Sequence, residues 1–224
     1  MTYELTGNIP PEVKEWLPFK PQIPIRITEI PHCVKLLNWH PVDRGKGHYG
    51  YDLAAYLAET ASGLEVVIGL PKSLPVYAIA EGRVERIENN LSDPTDMYQT
   101  QITLKHILRG MRGRLKKPLY SDYRHVIPEV KEDQIVHAGQ KIGTLFTDTK
   151  WENVRGRLVH LHILTRNGSL PSGFVDPSLI IPDINGPRCI PPEEISNFQI
   201  EGYGSLPIRI AHYQNLWIRQ TEGR

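Results

Sequence analysis

The sequence is poor in cysteine, in long apolar runs and in net charge, and each shortage excludes a class of protein. Its 224 residues include two cysteines, Cys33 and Cys189, and neither lies in a Cys-x-x-Cys arrangement, which argues against a cysteine-ligated zinc site. No apolar run approaches the roughly 20 residues that a membrane helix needs, so we expect no membrane span. The formal net charge of +1 selects neither an acidic nor a basic partner.

The two cysteines leave two interpretations open. A disulfide between Cys33 and Cys189 would join the N-terminal and C-terminal stretches of the chain. Because disulfides depend on the redox compartment, the sequence alone does not decide the pairing. Two unreactive thiols are the favoured interpretation.

Proline, in contrast, is abundant and crowds the N-terminus. The six N-terminal prolines among the 19 are Pro10, Pro11, Pro18, Pro21, Pro24 and Pro31. Proline fixes φ and lacks an N–H donor, so it disfavours both a helix interior and a central strand. We therefore predict that residues 1–40 form an extended arm laid on the domain, with one short helix at about residues 11–16, where prolines stand at the helix start.

Beyond the arm, the pattern is that of short β-strands. Apolar and β-branched runs are bounded by turn residues. They predict strands at Tyr51–Leu57, Leu64–Ile68, Val76–Ala80, Arg83–Glu88, Thr100–His106, Gln140–Phe146 and Leu158–Thr165. At this length we expect one well-buried domain, residues 41–182, with extensions on both sides.

Two histidine-containing motifs indicate a metal site. His160 and His162 form a His-x-His pair inside an apolar run, and side chains at i and i+2 of a strand point to one face. Far upstream, His48, Gly50 and Asp52 form a His-x-Gly-x-Asp box, in which His48 and Asp52 share a face of an extended segment and the glycine allows close backbone approach. Two imidazoles and one carboxylate are a common ligand set for catalytic zinc, which keeps its fourth position for water. One histidine would then be left over, close to that water.

The order of these motifs resembles one family. The chain resembles the lysostaphin-like (LytM-type) zinc metallopeptidases, which carry H-x-G-x-D near the start of the domain, Y-x-H in the middle and H-x-H near the end. Tyr123 and His125 supply the middle element. Further landmarks in the family's order are Pro75–Ala78 with Glu81–Val84, Val136–Gly143 and Val175–Pro177. The resemblance covers roughly residues 40 to 181.

The resemblance implies a fold, a cofactor and residue roles. The implied fold is mainly β, a compact antiparallel β-sandwich of the LytM/lysostaphin (duplicated hybrid motif) type. One zinc ion per chain would be bound by His48, Asp52 and His162, with His125 and His160 close to the metal but not on it. Zinc lowers the pKa of its bound water to about 7, and an imidazole exchanges protons near neutral pH. We assign His160 as general base and His125 as oxyanion donor, although the sequence leaves the two roles interchangeable.

A basic run precedes the Tyr-x-His element and leaves its own alternatives open. The run contains Arg109, Arg112, Arg114, Lys116 and Lys117. Charge runs are usually solvated loops. In the functional alternative the loop borders the substrate groove and attracts carboxylates, which makes Arg112 and Arg114 substrate-groove candidates. Tyr123 of the Tyr-x-His element is a further groove candidate. Nucleic-acid binding is not expected, because no aromatic residues interleave with the run.

The resemblance implies a zinc metalloendopeptidase that hydrolyses peptide bonds of bacterial peptidoglycan, in the stem peptide or the cross-bridge. The alternatives are a non-catalytic LytM-like adaptor of a wall hydrolase, disfavoured because all five histidine and aspartate positions are present, and a phage or injection-machine component. Residues 1–9 lack the basic and apolar regions of a secretory signal, so we expect action at the wall or periplasm after signal removal or delivery by another route. Residues 183–224 lie beyond the resemblance, and their apolar stretch predicts packing on the domain or on a protein partner.

Overall fold

A computed structural model describes residues 21–30, 33–40, 47–59, 65–70, 73–89, 100–106, 118–146, 160–181, 184 and 218–219. Regular structure in these ranges is nearly all β. The strands are β1 (Cys33–His40), β2 (Tyr51–Glu59), β3 (Glu65–Gly69), β4 (Pro75–Tyr77), β5 (Gly82–Asn89), β6 (Thr100–His106), β7 (Tyr120–Arg124), β8 (Val126–Pro128), β9 (Ile135–Val136), β10 (Lys141–Leu145), β11 (Leu161–Arg166), β12 (Phe174–Val175) and β13 (Ile218–Arg219). Within the same ranges, short 3-10 helices span Ile27–Glu29 and Pro177–Leu179.

The strands form two sheets. The larger sheet has the order β13-β3-β2-β11-β7-β6-β5-β9, with β1 paired to β2 and β12 paired to β11. The smaller sheet has the order β4-β10-β8. Each of these pairings is antiparallel. The predicted fold class, mainly β and antiparallel, is confirmed.

One hydrophobic core joins the two sheets. The larger sheet contributes Ile102, Leu104, Leu161 and Ile163 among others, and the smaller sheet contributes Val76, Ile142 and Leu145. Burying such an aliphatic side chain stabilises a fold by roughly 1.5–3 kcal/mol. Because the side chains of a strand alternate between its two faces, Thr103 and His162, which lie between core positions of the larger sheet, point away from the core.

The predicted strands occur with shifted ends. The prediction for residues 100–106 agrees with β6 at both ends. The strand predicted at 76–80 is shorter in the structure, because β4 ends at Tyr77 and the chain bends after it. The strand predicted at 158–165 appears as β11, and residues 158–159 lie outside the described part of the chain.

The stretch predicted as an arm contributes to the sheet. Its residues 33–40 form β1, which pairs with β2 from Cys33 to His40. This interval lies between Pro31 and Pro41 and contains no proline, so every residue of it can donate to a ladder. Residues 21–30 lie against the smaller sheet, where the Tyr77 amide donates to the Pro24 carbonyl at 2.9 Å. The helix predicted at 11–16 and Cys189 lie outside the described residues.

Part of the predicted C-terminal extension also contacts the domain. Ile184 is buried, and β13 pairs with β3 through Ile218 opposite Val66. In the described ranges, no helix has the length and apolar character needed to cross a membrane.

Candidate metal centre

Two neighbouring strands bring Asp52 and His162 together. In the pairing of β2 with β11, Asp52 lies directly opposite His162, and directly opposite residues of an antiparallel pair share a face. Leu161 and Ile163 are fully buried in the core, so His162 points to the other face. The Nδ1 atom of His162 lies 2.7 Å from Oδ1 of Asp52.

His48 reaches the same carboxylate through a bend. Gly50 has φ of 120°, and β2 begins only at Tyr51. The prediction that His48 and Asp52 lie along one extended segment is therefore wrong in its geometry, although the two side chains do meet. Nε2 of His48 lies 3.2 Å from Oδ2 of Asp52, and the His48 and His162 rings stand edge to face with centroids 5.0 Å apart.

Gly50 has no room for a side chain. A Cβ atom at this position would lie 2.6 Å from the Ile163 carbonyl oxygen and 2.9 Å from Nε2 of His162. Its φ is also one that other residues adopt only with strain. The glycine of the His-x-Gly-x-Asp box thus lets His162 lie against the backbone that carries His48.

The three side chains form a donor set that fits a zinc ion. One nitrogen each from His48 and His162 and one Asp52 oxygen all lie within 4.8 Å of one another. Two imidazoles and a carboxylate suit zinc, and three protein ligands leave a fourth position open. The Nδ1 atom of His162 faces this cluster, while its Nε2 atom is buried and has no hydrogen-bond partner in the part of the chain that the structure describes. Nδ1 is therefore the nitrogen that a shared ion would use.

Electrostatics hold Asp52 and His162 in the protonation states that metal binding needs. Burial alone raises the pKa of Asp52, but the charge of His160 and the hydrogen bonds from His162 and His48 outweigh it and hold that pKa well below its ordinary value. Burial lowers the pKa of His162, against the opposing hydrogen bond and charge of Asp52. A carboxylate and a neutral imidazole are the forms that bind a metal.

The second histidine pair borders this cluster. His125 lies between β7 and β8 with φ of 61°, where its amide donates to the Thr100 carbonyl at 2.9 Å and its carbonyl accepts from the Phe146 amide at 2.8 Å. The His125 and His160 rings have centroids 4.4 Å apart, and Nε2 of His160 lies 3.8 Å from Oδ1 of Asp52. A left-handed backbone at a residue other than glycine costs of order 1–2 kcal/mol, so these backbone bonds hold His125 in place against strain.

The His125 side chain is deeply buried. Burial, followed by the charges of His160 and His162, holds the pKa of His125 well below its ordinary value. The imidazole is therefore neutral at neutral pH, with one nitrogen that donates and one that accepts.

Of the three predicted substrate-groove residues, one lies in the core and two lie outside the described residues. Tyr123 is fully buried, and its hydroxyl accepts from the Ile79 amide at 2.8 Å and is hydrogen-bonded to Ser121 at 3.2 Å. It was expected at the groove, but the alternation of β7 places it in the core. Arg112 and Arg114 lie outside the described residues.

His106 belongs to the same buried network as Tyr123. Its Nδ1 lies 3.1 Å from the Glu81 carbonyl oxygen and its Nε2 lies 2.8 Å from the Ser121 hydroxyl. Burial, against the Glu81 hydrogen bond and the charge of Asp122, lowers the pKa of His106 to about 4. This histidine supports the fold.

The structure also reveals a row of polar residues that sequence reasoning missed. Asp52, His162, Arg124, Gln101 and Glu88 are successive ladder partners on β2, β11, β7, β6 and β5. They share one face of the sheet. Arg124 is the middle residue of the Tyr-x-His element, and that motif assigns no role to it. The alternation of β7 gives its direction, but only the strand register gives its neighbours.

No protein-family model and no curated protein matches the chain. Solved structures similar to it include a putative M23 peptidase from Pseudomonas aeruginosa, with 20% identity over 77% of this chain and 58% of that chain and a TM-score of 0.42. Lysostaphin is also similar, with 20% identity over 77% of this chain and 60% of its own, at a TM-score of 0.43. The catalytic domain of the prophage-encoded M23 protein EnpA from Enterococcus faecalis has 18% identity over 71% of this chain and 95% of its own, at a TM-score of 0.42. The chain spans less than two thirds of the length of the first two of these proteins.

Proposed function

We propose that the chain is a zinc-dependent endopeptidase that hydrolyses peptide bonds of bacterial peptidoglycan. The observation that carries this proposal is the convergence of His48, Asp52 and His162, with donor atoms within 4.8 Å of one another, beside the His125 and His160 pair. Separate segments of the chain deliver these five groups to one place. Such a cluster contributes nothing to the hydrophobic core, which argues for chemistry as its purpose.

Nε2 of His48, the Asp52 carboxylate and Nδ1 of His162 would hold the ion. Zinc in a site of this kind acts as a Lewis acid on a peptide carbonyl and lowers the pKa of a coordinated water to about 7. The ligands' task is to hold the ion while leaving one position open. The 2.7 Å and 3.2 Å contacts of Asp52 show that the two imidazoles and the carboxylate already face one another.

We assign proton transfer to His160. Its Nε2 lies 3.8 Å from Oδ1 of Asp52, so the imidazole borders the ligand cluster. In this position it accepts the proton of the attacking water and returns it to the leaving amine nitrogen. General acid–base catalysis of this kind contributes about 10²- to 10⁴-fold.

We assign oxyanion stabilisation to His125. A neutral imidazole carries one N–H, which donates to the oxygen of the tetrahedral adduct that forms from the substrate carbonyl. A fixed donor is effective because no reorganisation is needed at the moment of reaction. The backbone hydrogen bonds with Thr100 and Phe146 supply that fixed position.

The substrate class rests on the resemblance of the motifs. Wall peptides are the substrates that the resemblance implies, and the bacterial wall or periplasm is the corresponding site of action. We further propose that residues 41–182 form the peptidase domain and that residues 183–224 offer a surface for a protein partner.

Zinc content and wall hydrolysis test the proposal together. The purified chain, loaded with one equivalent of zinc, is incubated with peptidoglycan of several cross-link types, and released peptides are identified by mass spectrometry. We expect cleavage at one kind of peptide bond, abolished by a chelator and restored by zinc. A matched control is His137→Ala, because the side chain of His137 is 74% exposed and lies outside the site.

The negative outcomes separate the alternatives. Stoichiometric zinc without release of any wall peptide would favour the non-catalytic adaptor. A folded chain that binds no zinc at neutral pH would contradict the metal assignment itself.

A further inference from the structure

Two strands lie end to end along one edge of β11. β12 pairs with Thr165 and Arg166 of β11, and β2 pairs with residues 161–163. Both strands occupy the same edge, because the opposite edge of β11 is paired with β7 over residues 162–166. Leu164 therefore marks a junction, at which one segment of the chain enters β2 and another leaves β12.

The segment that enters β2 crosses the junction on the face of the metal cluster. This segment, residues 48–50, carries the candidate ligand His48. A Cβ atom at Gly50 would lie 3.0 Å from Cβ of Leu164 and 2.9 Å from Nε2 of His162. Leu164 and His162 are two positions apart on β11, so they share a face of the sheet. His48 thus reaches the cluster on a segment that lies across β11.

The segment that leaves β12 passes on the core face. Tyr51 lies directly opposite the fully buried Ile163 and therefore points to the core side. Its hydroxyl is hydrogen-bonded to the side chains of Ser178 and Asp176, and Pro177 between them is buried. These contacts hold the start of β2, but they lie on the face away from His48.

An aromatic pair spans the junction on the metal face. Phe174 of β12 is directly opposite Arg166 of β11, and residues 166, 164 and 162 share the metal face of that strand. The Tyr49 ring lies against the Phe174 ring, with centroids 5.5 Å apart and ring planes inclined by 54°. Because Tyr49 stands between His48 and Gly50, this contact ties the segment that carries the ligand to the edge of β11.

The backbone of this segment has unusual freedom. Gly47 and Gly50 flank His48 and Tyr49 and have positive φ angles of 73° and 120°. Glycine allows a wider range of backbone torsions than any other residue. His162, in contrast, lies within a strand that is paired on both edges. A side-chain contact made between the two glycines therefore narrows the range of positions that His48 takes relative to His162.

We propose that Tyr49 is a positioning residue for the candidate metal centre. Packed on Phe174, its ring holds residues 48–50 across β11 and so sets the separation of the His48 and His162 ligand nitrogens. This inference rests on the proposed binding of zinc by His48. It deepens that proposal, because it names side chains that shape the ligand set without touching the ion.

Zinc affinity tests the proposal through a double-mutant cycle. Competition with a chromogenic chelator is measured for the wild type, Tyr49→Ala, Phe174→Ala and the double variant. We expect each single variant to lose about tenfold in affinity, the lower end of the range for groups that orient a metal ligand. The double variant should also lose about tenfold, because either substitution already removes the shared contact. Tyr49→Phe should bind zinc as the wild type does, since the ring makes the contact.

Three results of this cycle would overturn the proposal. They are wild-type affinity in Tyr49→Ala, a loss of about a hundredfold in the double variant, which would mean independent effects, and a loss in Tyr49→Phe equal to that in Tyr49→Ala.

Tyr120→Ala is the matched control. Tyr120 is another partly exposed tyrosine on the metal face, and it adjoins Arg166 from the opposite edge of β11, with the guanidinium 4.5 Å from its ring centroid. This variant should keep wild-type zinc affinity, and circular dichroism checks that every variant is folded. An equal loss in Tyr120→Ala would mean that any loosening of this face weakens the site, which would overturn the specific role of Tyr49.

A measurement on the metal-free protein separates this inference from the proposed function. The His48 and His162 rings have centroids 5.0 Å apart, close enough for a nuclear Overhauser effect between their ring protons. With isotope-labelled histidine, the wild type, Tyr49→Phe and Tyr120→Ala should show this effect, and Tyr49→Ala should show a weaker one. An undiminished effect in Tyr49→Ala, or none in the wild type, would overturn the proposal. If the effect depends on Tyr49 but the wild type binds no zinc or hydrolyses no wall peptide, the metal assignment or the peptidase function fails, and the positioning of His48 by Tyr49 stands.

Discussion

Two buried polar clusters lie on opposite sides of the larger sheet, and they differ in how their atoms are satisfied. In the core cluster, His106, Ser121 and Tyr123 bond to one another and to the Glu81 carbonyl and the Ile79 amide. In the metal cluster, His48 and His162 both point at the carboxylate of Asp52. The first cluster matches donors with acceptors, and the second gathers ligand atoms around one point.

Burial alone does not distinguish the two clusters. It lowers the pKa of His106 in the core and of His162 at the site. The two clusters differ in the direction of their polar atoms. In the metal cluster the nitrogen and oxygen atoms converge on one point, an arrangement that suits a bound cation better than it suits hydrogen bonds among the side chains. Substitutions in the core cluster should therefore change stability, and substitutions in the metal cluster should change metal binding and turnover.

The largest effect is expected from removing a ligand. His162→Ala should lose most of the roughly one zinc per chain that we expect in the wild type, because two remaining ligands hold a zinc ion poorly. Metal analysis after dialysis at neutral pH measures the stoichiometry, and circular dichroism checks that the variant is folded. Wild-type zinc content in folded His162→Ala would remove this residue from the ligand set.

Next in size are the two histidines beside the cluster. His160→Ala and His125→Ala should keep zinc but lower turnover of wall peptides by roughly two to four orders of magnitude, since each removes a proton-transfer or oxyanion group. Steady-state kinetics and metal analysis on the same samples measure turnover and zinc content. Loss of zinc in His160→Ala would mean that His160, and not His162, is the ligand.

The close packing of His162 and the Ile163 carbonyl against Gly50 predicts a smaller effect, a loss of zinc affinity. In Gly50→Ala the new Cβ would press on His162 and on the Ile163 carbonyl, so we expect zinc affinity to fall about 10- to 100-fold, as for other changes that disturb ligand orientation. Competition with a chromogenic chelator measures the affinity. Gly168→Ala is the control, because its Cβ would meet nothing closer than 4.0 Å; equal affinities in the two variants would contradict the role of Gly50.

The core cluster predicts a dependence of stability on pH. The pKa of His106 is about 4 in the fold and about 6.5 in the unfolded chain, so the unfolded chain binds the proton more readily. The buried neutral His106 therefore contributes to the free energy of unfolding. This contribution is fully present above pH 6.5 and is lost as the pH falls towards 4, by roughly 3 kcal/mol in all. Urea unfolding between pH 7 and 4.5 should show a shallower pH slope for His106→Gln than for the wild type, and equal slopes would contradict the buried neutral histidine.

The smallest effect concerns Tyr123. Tyr123→Phe removes the acceptor of the buried Ile79 amide and a partner of Ser121, which should lower the free energy of unfolding by about 1–3 kcal/mol. Zinc affinity should not change, because the residue faces the core. Chemical denaturation and chelator competition measure the two quantities; a loss of zinc affinity without a loss of stability would restore the groove interpretation of this residue.

The parts of the fold that sequence analysis predicted are the apolar, alternating strands. β6 was predicted from Thr100 to His106 because its buried residues are mostly β-branched or aliphatic. β7 was missed because Ser121 and Asp122 are polar. They are buried only because His106, Thr103 and Arg166 bond to them, and those partners are 15 to 44 residues away along the chain.

The candidate site was predictable in its residues but not in its arrangement. The motifs named His48, Asp52 and His162, and strand alternation predicted only that His160 and His162 share a face. The bend at Gly50 depends on a backbone that packs against β11, and the row through Arg124 depends on the register between strands. Spacing within a motif does not specify either of these contacts.

We propose that His48, Asp52 and His162 bind zinc while His125 and His160 lie beside the ion without coordinating it. Anomalous diffraction at the zinc edge from crystals of the zinc-loaded protein would locate the ion. We expect one strong peak at about 2.0–2.2 Å from Nε2 of His48, an Asp52 oxygen and Nδ1 of His162, with neither His125 nor His160 coordinated. A peak coordinated by His125 or His160, or no peak in this cluster at saturating zinc, would contradict this ligand assignment.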